Sequence, residues 1–236
     1  TDSIRQDGAD FTAKNVRDLP DCVEYELVGS GMIGRVHLGI PGHFSVYNSM
    51  GALLCAMKAG VPFQQALGAL RAAKGVKGRI EVVPTNTDYT VIIDYAHSPD
   101  GLENILSSLR EIAHGRILCV FGCGGDRDRT KRPKMGSVVA RLADVAVVTS
   151  DNPRSEEPEQ IIADVLEGMR EAPIPVHVEP DRTKAIRLAM RLAQKDDIVL
   201  LAGKGHETYQ VLKAGKIHYD EREIVAQVLK ELKQEV

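Results

Sequence analysis

No stretch of this 236-residue chain is apolar for anything close to the roughly 20 residues that a bilayer-crossing helix needs. It also lacks a polybasic block and carries a net charge of only −3, so neither a membrane surface nor nucleic acid finds an electrostatic footprint on it. No signal-peptide pattern opens the sequence and no methionine starts it. Beginning Thr1-Asp2-Ser3-Ile4-Arg5, it reads as a piece cut from a longer cytoplasmic protein. The four cysteines (Cys22, Cys55, Cys119, Cys123) form no Cys-x-x-Cys pair, and no histidine stands near Cys119 and Cys123 at zinc-ligand spacing. Buried reduced thiols are the expectation, and no metal site. His206-Glu207 lacks the second histidine of a zinc-protease helix, and no Gly-x-x-x-x-Gly-Lys-Ser/Thr phosphate loop occurs anywhere. Repeats and low-complexity tracts are missing as well.

What is present is a core-forming share of apolar residues, 43%, enough for one full domain and part of another. Val23–Val28 and Gly34–Ile40 alternate about a glycine turn and predict an antiparallel hairpin. The Gly-x-Gly-x-x-Gly spacing of Gly29, Gly31 and Gly34 falls in that turn instead of opening a helix, so it is not a dinucleotide fingerprint. Phe44, Tyr47, Met50, Leu54 and Met57 have helical spacing up to Gly60, and a second helix runs from Phe63 to about Ala73. Lys74-Gly75-Val76-Lys77-Gly78-Arg79 is a glycine-rich basic link and the best domain boundary, a candidate hinge. Beyond it, Ile80–Pro84 and Thr90–Ile93 predict paired strands. Then helices over Pro99–Ala113, Lys134–Leu142, Glu159–Arg170 and Arg182–Gln194 alternate with strands over Arg116–Phe121, Asp144–Thr149, Val176–Glu179 and Ile198–Ala202. A hairpin, Tyr209–Leu212 with Lys216–Tyr219, and a helix from Glu221 complete the chain. The βαβ alternation predicts an α/β fold: a Rossmann-like, doubly wound, mostly parallel sheet.

Three loops at predicted strand ends concentrate polar chemistry. Gly122-Cys123-Gly124-Gly125-Asp126-Arg127-Asp128-Arg129 exposes backbone N–H groups and adds positive charge. Asp151-Asn152-Pro153-Arg154 combines a carboxylate, an amide and a guanidinium. The arginine offers a planar fork to a carboxylate, and the acidic and amide oxygens accept from an ammonium. Gly203-Lys204-Gly205-His206-Glu207 supplies a further carboxylate. Ligands of open α/β sheets bind at such strand ends, and opposite charges converging there suit a zwitterion better than a phosphate alone. The plainer alternative is that each loop is a solvated turn or caps the helix after it. A fourth loop, Asp94-Tyr95-Ala96-His97-Ser98-Pro99-Asp100, combines groups that can reach ribose and phosphate with an N-cap serine before a proline.

Taken in order, Asp94–Asp100, Gly124–Asp128, Asp151–Arg154 and Gly203–Glu207 resemble the motifs of the Mur ligases, and the resemblance runs over nearly the whole chain. It is nearest the branch that adds meso-diaminopimelate to UDP-N-acetylmuramoyl-L-alanyl-D-glutamate in peptidoglycan precursor synthesis. It implies that residues 1–77 are the back part of a central P-loop-type ATPase domain and that residues 78–236 are the C-terminal Rossmann-like ligase domain. It also implies an ATP-dependent acid–amino-acid ligase using ATP and Mg2+, monomeric, with small-molecule substrates and neither nucleic acid nor membrane as partner.

Carried over on that resemblance, Arg127, Asp151, Asn152, Arg154, Gly203 and Glu207 would hold diaminopimelate. Asn48 would face the adenine, Arg79 the nucleotide, Asp94 the ribose and His97 a phosphate. Arg154 suits the distal carboxylate of diaminopimelate, which lysine lacks, and so disfavours the lysine-adding relatives; folylpolyglutamate synthase is a more distant architectural match. In the family, ATP phosphorylates the D-glutamate carboxylate, the amine attacks the acyl phosphate, and phosphate leaves. The phosphate loop, the magnesium carboxylate and the carbamylated lysine of that step have no counterpart in this chain, so the catalytic residues are unknown here. The expectation is a fragment inactive alone; the competing reading is a non-catalytic module for an amino acid or nucleotide.

Overall fold

The structure, a computed structural model, describes residues 9–234; the opening Thr1–Arg5 lies outside the described residues. The chain divides between Gly75 and Val76 into two compact units.

In the first unit, β1 (Phe11–Asp18), β2 (Val23–Gly29) and β3 (Met32–Leu38) form an antiparallel sheet in that order. Helices α1 (Phe44–Lys58) and α2 (Phe63–Ala72) complete the unit. The expected hairpin is present: Gly29 pairs with Met32, and Ser30 and Gly31 turn the chain with φ of 46° and 73°, the positive values a two-residue hairpin loop requires. Alternation points Val23, Tyr25, Leu27, Val36 and Leu38 into a core closed by Val46, Leu53 and Ala66 of the helices. The Tyr25 hydroxyl stays satisfied there, 2.9 Å from Ser49 Oγ. Strand β1 was not expected. Its pairing slips between Lys14 and Arg17, with Asn15 at φ 51°. A bulged strand loses the period-2 pattern by which sequence reveals it.

The second unit contains β4 (Glu81–Val83), β5 (Thr90–Asp94), α3 (Pro99–Ile112), β6 (Ile117–Phe121), α4 (Lys131–Leu142), β7 (Val145–Val148), α5 (Pro158–Glu167), β8 (Val176–Val178), α6 (Arg182–Leu192), β9 (Ile198–Ala202), β10 (Tyr209–Leu212), β11 (Gly215–His218) and α7 (Glu221–Gln234). Six strands make one sheet in the order β4-β5-β9-β6-β7-β8, parallel except for β4. Helices α3, α4 and α5 cover one face, α6 and α7 the other. Strands β5, β6, β7 and β9 are buried on both faces, which is why their sequences are continuous apolar runs. The sheet is therefore doubly wound, with β9 inserted between β5 and β6.

Two details differ from the sequence reading. Helix α4 starts at Lys131, a turn before the expected Lys134; Pro133 sits within the first turn, where a missing N–H costs nothing. The early start buries Arg132, which is 1% exposed. Cys22, Cys119 and Cys123 are buried free thiols as expected, but Cys55 is exposed on α1.

Candidate functional site

The carboxyl ends of β5, β9, β6 and β7 lie level: Asp94 pairs with Ala202, Val120 with Leu201, and Phe121 with Val148. The loops that follow open together onto a cavity of about 420 Å³, within the range of small-molecule sites. Cations line it from the loop after β6 and from α4 (Arg127, Lys131, Arg132) and from the loop after β7 (Arg154). Carboxylates line it from Asp151 and Glu207, and from Asp128 beside the cations of the loop after β6; the Asn152 amide and Gly203 line it as well. Tyr95 and His97, from the loop after β5, close another side. The six residues expected at an amino-acid ligand thus surround one space together with His97.

The loops hold one another through backbone. Gly125 N–H donates to Asn152 O at 2.9 Å, Gly203 N–H to Asp94 O at 3.0 Å, and Arg154 N–H to Val211 O at 3.0 Å. A Cβ on Gly125 would lie 1.9 Å from Pro153 O, and one on Gly122 would lie 2.2 Å from Thr149 O. These glycines, read in the sequence for the backbone N–H groups they expose, also let the loops after β6 and β7 touch. Arg154 and Asp126, each with φ 54°, are non-glycine residues in the left-handed region. The turn at Asp126 is pinned by Ser155, whose Oγ donates to Asp126 Oδ1 at 2.6 Å and whose N–H donates to Oδ2. Arg132 then forks onto Glu156 at 2.8 and 3.0 Å and onto Asp164 at 2.8 Å. Those hydrogen bonds, Arg132's foremost, bring the Glu156 carboxyl down to about 2.

The side chains around the cavity are already engaged with each other. Arg154 Nη1 donates to Gly125 O at 2.8 Å. Asn152 Nδ2 donates to Glu207 Oε2 at 3.0 Å, while Asn152 Oδ1 accepts from Val211 N–H at 2.9 Å. Gln210 Nε2 donates to Asp151 O at 2.8 Å, so the β10–β11 hairpin braces the loop after β7. Asn152 was expected as a possible acceptor for a ligand's ammonium; its carbonyl oxygen is instead taken up internally, and it orients Glu207.

Beneath the cavity floor lies a fully buried ion pair, Arg182 with Glu221, at 2.8 Å. Arg182 also donates to Ser150 O at 3.3 Å and Ala202 O at 2.9 Å, the carbonyls just ahead of Asp151 and Gly203. One guanidinium from α6 thereby ties the ends of β7 and β9 across the intervening β6. Burial pushes the Glu221 carboxyl up, with Arg182 opposing.

The other sequence candidates fall as follows. Asp94 is buried at the end of β5, its two oxygens accepting from Ile80 N–H and Ala96 N–H at 2.8 Å each. Burial raises its carboxyl, against those two bonds and the Arg79 charge. His97 Nδ1 lies 2.7 Å from Tyr95 O; a carbonyl only accepts, so Nδ1 carries the hydrogen and Nε2 is left for a partner. Arg79 lies 4.8 Å over the Tyr95 ring, whose other neighbours are the rings of His97 (4.5 Å) and His206 (4.9 Å). Ser98 caps α3 by accepting from Gly101 N–H at 3.2 Å. Asn48 stands exposed on α1, in the first unit. Among the described residues, no group of three or more His, Cys, Asp or Glu side chains could hold a metal ion, and no helix is long and apolar enough to cross a membrane.

The burial of Arg132, Arg182 and Lys204 escaped the sequence reading, because a buried cation looks in sequence like any surface cation. The one available signal was at Lys204, a lysine between two glycines directly after an apolar strand.

Comparison with known proteins gives this geometry a context. The family described as "Mur ligase, glutamate ligase domain" matches residues 78–205. The UDP-N-acetylmuramoyl-L-alanyl-D-glutamate–2,6-diaminopimelate ligase 1 of Clostridium acetobutylicum is 46% identical over 226 residues, covering 95% of this chain and 46% of that protein. The corresponding ligase of Synechococcus elongatus is 52% identical over 216 residues, covering 91% of this chain and 43% of that protein. A solved structure of a ligase of the same name superposes with a TM-score of 0.81 at 34% identity, covering 98% of this chain and 47% of that one. The chain thus spans about half the length of the curated relatives it matches.

Proposed function

This chain belongs to the Mur ligase family, and from that premise we propose that it is the amino-acid-recognising part of an ATP-dependent ligase adding meso-diaminopimelate to UDP-N-acetylmuramoyl-L-alanyl-D-glutamate. Residues 78–236 are the C-terminal ligase domain and residues 1–77 the back part of the central ATPase domain. The observation that carries the reading is the convergence of both signs of charge on one cavity, lined by Arg127 and Arg154 and by Asp151 and Glu207. Meso-diaminopimelate has an amino-acid head at each end: one supplies the attacking amine, and the other is left to be recognised. In this reading Arg127 and Arg154 take the distal carboxylate, and Asp151 and Glu207 the distal ammonium, while Asn152 and Gly203 shape the cleft. A site built for that carboxylate would leave Arg154 without its counter-charge if lysine entered, a loss of about 2–5 kcal/mol.

In the ligation itself, ATP phosphorylates the D-glutamate carboxylate, the proximal amine attacks the acyl phosphate, and phosphate leaves. This chain's share is to hold that amine by its far end and to contact the nucleotide through Arg79, Asp94 and His97. The phosphate loop, magnesium and the carbamylated lysine belong to parts of the enzyme not represented in this sequence. The whole would work as a cytoplasmic monomer on small-molecule substrates.

Calorimetric titration with meso-diaminopimelate, with L-lysine alongside, tests the reading. Binding of diaminopimelate alone, lost in Arg154→Ala, is the expected result. Lysine binding equally well would overturn the substrate assignment.

A further inference from the structure

We propose that Lys204 is a positioning residue for amino-acid recognition: a buried internal ammonium that sets the Asn152 amide and the Glu207 carboxylate in place before any ligand arrives. The inference rests on the reading of the cavity as an amino-acid site.

The Lys204 side chain is 0% exposed and does not line the cavity; it lies behind the wall. Lysine ordinarily runs its stem over apolar surface and leaves its head in water. Burying an ammonium costs several kcal/mol unless partners compensate. Here the partners are Asn152 Oδ1 at 3.2 Å, Asp151 Oδ1 at 3.4 Å and Glu207 Oε2 at 3.4 Å. An ammonium has three donors, and these are three acceptors. All three belong to cavity-lining residues, drawn from the loops after β7 and β9. The distances exceed the 2.7–2.9 Å of a tight charge-assisted bond, so the charge is shared among the three and not committed to one. Tyr209 and Tyr219 enclose the head, with ring centroids at 6.0 and 5.8 Å.

The loop's backbone is shaped for this. Gly203 and Gly205 flank the lysine with φ of 117° and 53°, and a Cβ on Gly205 would meet Tyr95 Cβ at 2.6 Å. The consequences reach the site through two atoms. Asn152 Oδ1 accepts from both Lys204 and Val211 N–H, which leaves Asn152 Nδ2 pointing at Glu207. Glu207 Oε2 then accepts from both Asn152 and Lys204, so the carboxylate cannot rotate freely, and Oε1, whose partner among the described residues is Tyr209 OH at 3.5 Å, keeps its capacity for a ligand. Lys204 also stands between two carboxylates that would otherwise repel each other.

The test uses the full-length ligase carrying this chain, with phosphate release as the readout. Lys204→Met keeps the stem and removes the charge. The expected result is a KM for meso-diaminopimelate raised at least about 30-fold, with the KM for ATP unchanged within about twofold. A merely structural lysine would lower Tm and move both KM values together, or neither; either pattern overturns the proposal. Should Lys204→Met not fold, the double variant Lys204→Met/Glu207→Gln removes charges of both signs. Its KM for diaminopimelate should exceed that of Glu207→Gln alone by less than about threefold, because Lys204 and the Asn152 amide it sets both act on the ligand through the Glu207 carboxylate; a larger additional loss refutes the positioning role. Wild-type enzyme without diaminopimelate-dependent phosphate release would overturn the site reading itself, and this proposal with it.

Discussion

Arg182 offers the sharpest test of how the sheet holds the site. Arg182→Met removes a guanidinium that is 0% exposed, paired with a Glu221 carboxylate that is also 0% exposed, and donating to Ser150 O and Ala202 O. Breaking a buried ion pair from one side costs about 3–5 kcal/mol, because the surviving charge has no partner. Glu221 is poorly placed to absorb the loss, since its Oε2 is already buried without a hydrogen bond. Replacing both partners, as Arg182→Met/Glu221→Leu, removes the orphan charge, while the loss of Arg182's bonds to the two carbonyls is common to both variants. The double variant should therefore be more stable than the single one. Urea unfolding followed by circular dichroism measures this: with a slope near 2 kcal/mol per molar, the single variant's midpoint should fall by about 1.5–2.5 M. pH gives an independent check. Burial already raises the Glu221 carboxyl above its ordinary 4.5 with Arg182 present. Without Arg182 it rises further, so above pH 4.5 the folded state holds a proton that the unfolded chain has released. Folded stability then falls as pH rises, and the variant's deficit shrinks toward acid. A single variant within about 1 kcal/mol of wild type, or a double variant no better than the single, would refute the reasoning.

Three further outcomes are expected. Gly125→Ala drives a Cβ to 1.9 Å from Pro153 O, so it should weaken diaminopimelate binding more than tenfold while leaving the sheet's circular dichroism intact; unchanged affinity would mean the two loops move independently. Glu156, brought to about 2 from 4.5 by Arg132, stabilises the folded state above the unfolded value, and that stability is lost as pH falls through about 2. Glu156→Gln should flatten this part of the acid-unfolding curve, and an identical curve would place the acid sensitivity elsewhere. Thiol labelling at pH 8 should modify Cys55 rapidly, while Cys22, Cys119 and Cys123, each raised to about 12 with burial the leading cause, stay unreacted until denaturant is added. Mass spectrometry counts the labels, and fast labelling at Cys119 would contradict its burial.

Much of this protein is written locally. Val145–Val148 and Ile198–Ala202 are strands because unbroken β-branched and aliphatic runs suit a strand covered on both faces. Ser98 before Pro99 announces its helix, and Gly31 its hairpin turn. The motif loops sit at strand ends in the sequence as in the fold, since the strand run and the glycine or proline that stops it are neighbours along the chain. Strand β1 was hidden because its bulge erases the alternation, and the start of α4 because Pro133 reads as a boundary when it is a first-turn residue.

What the sequence by itself determined is therefore every element but β1, the α/β alternation, and the chemistry carried by the loops. Only the tertiary structure decided that β9 slides between β5 and β6, which sets Gly203–Glu207 beside Asp151–Arg154. It also decided that Lys204, Arg182 and Arg132 turn inward, and that Asn152 and Glu207 answer to each other before any ligand. The reason is physical: propensity and periodicity act over a few neighbours. Strand order, and the compensation of a buried charge, depend on groups dozens of residues apart, 53 positions for Lys204 with Asp151 and 39 for Arg182 with Glu221, which only packing brings within reach.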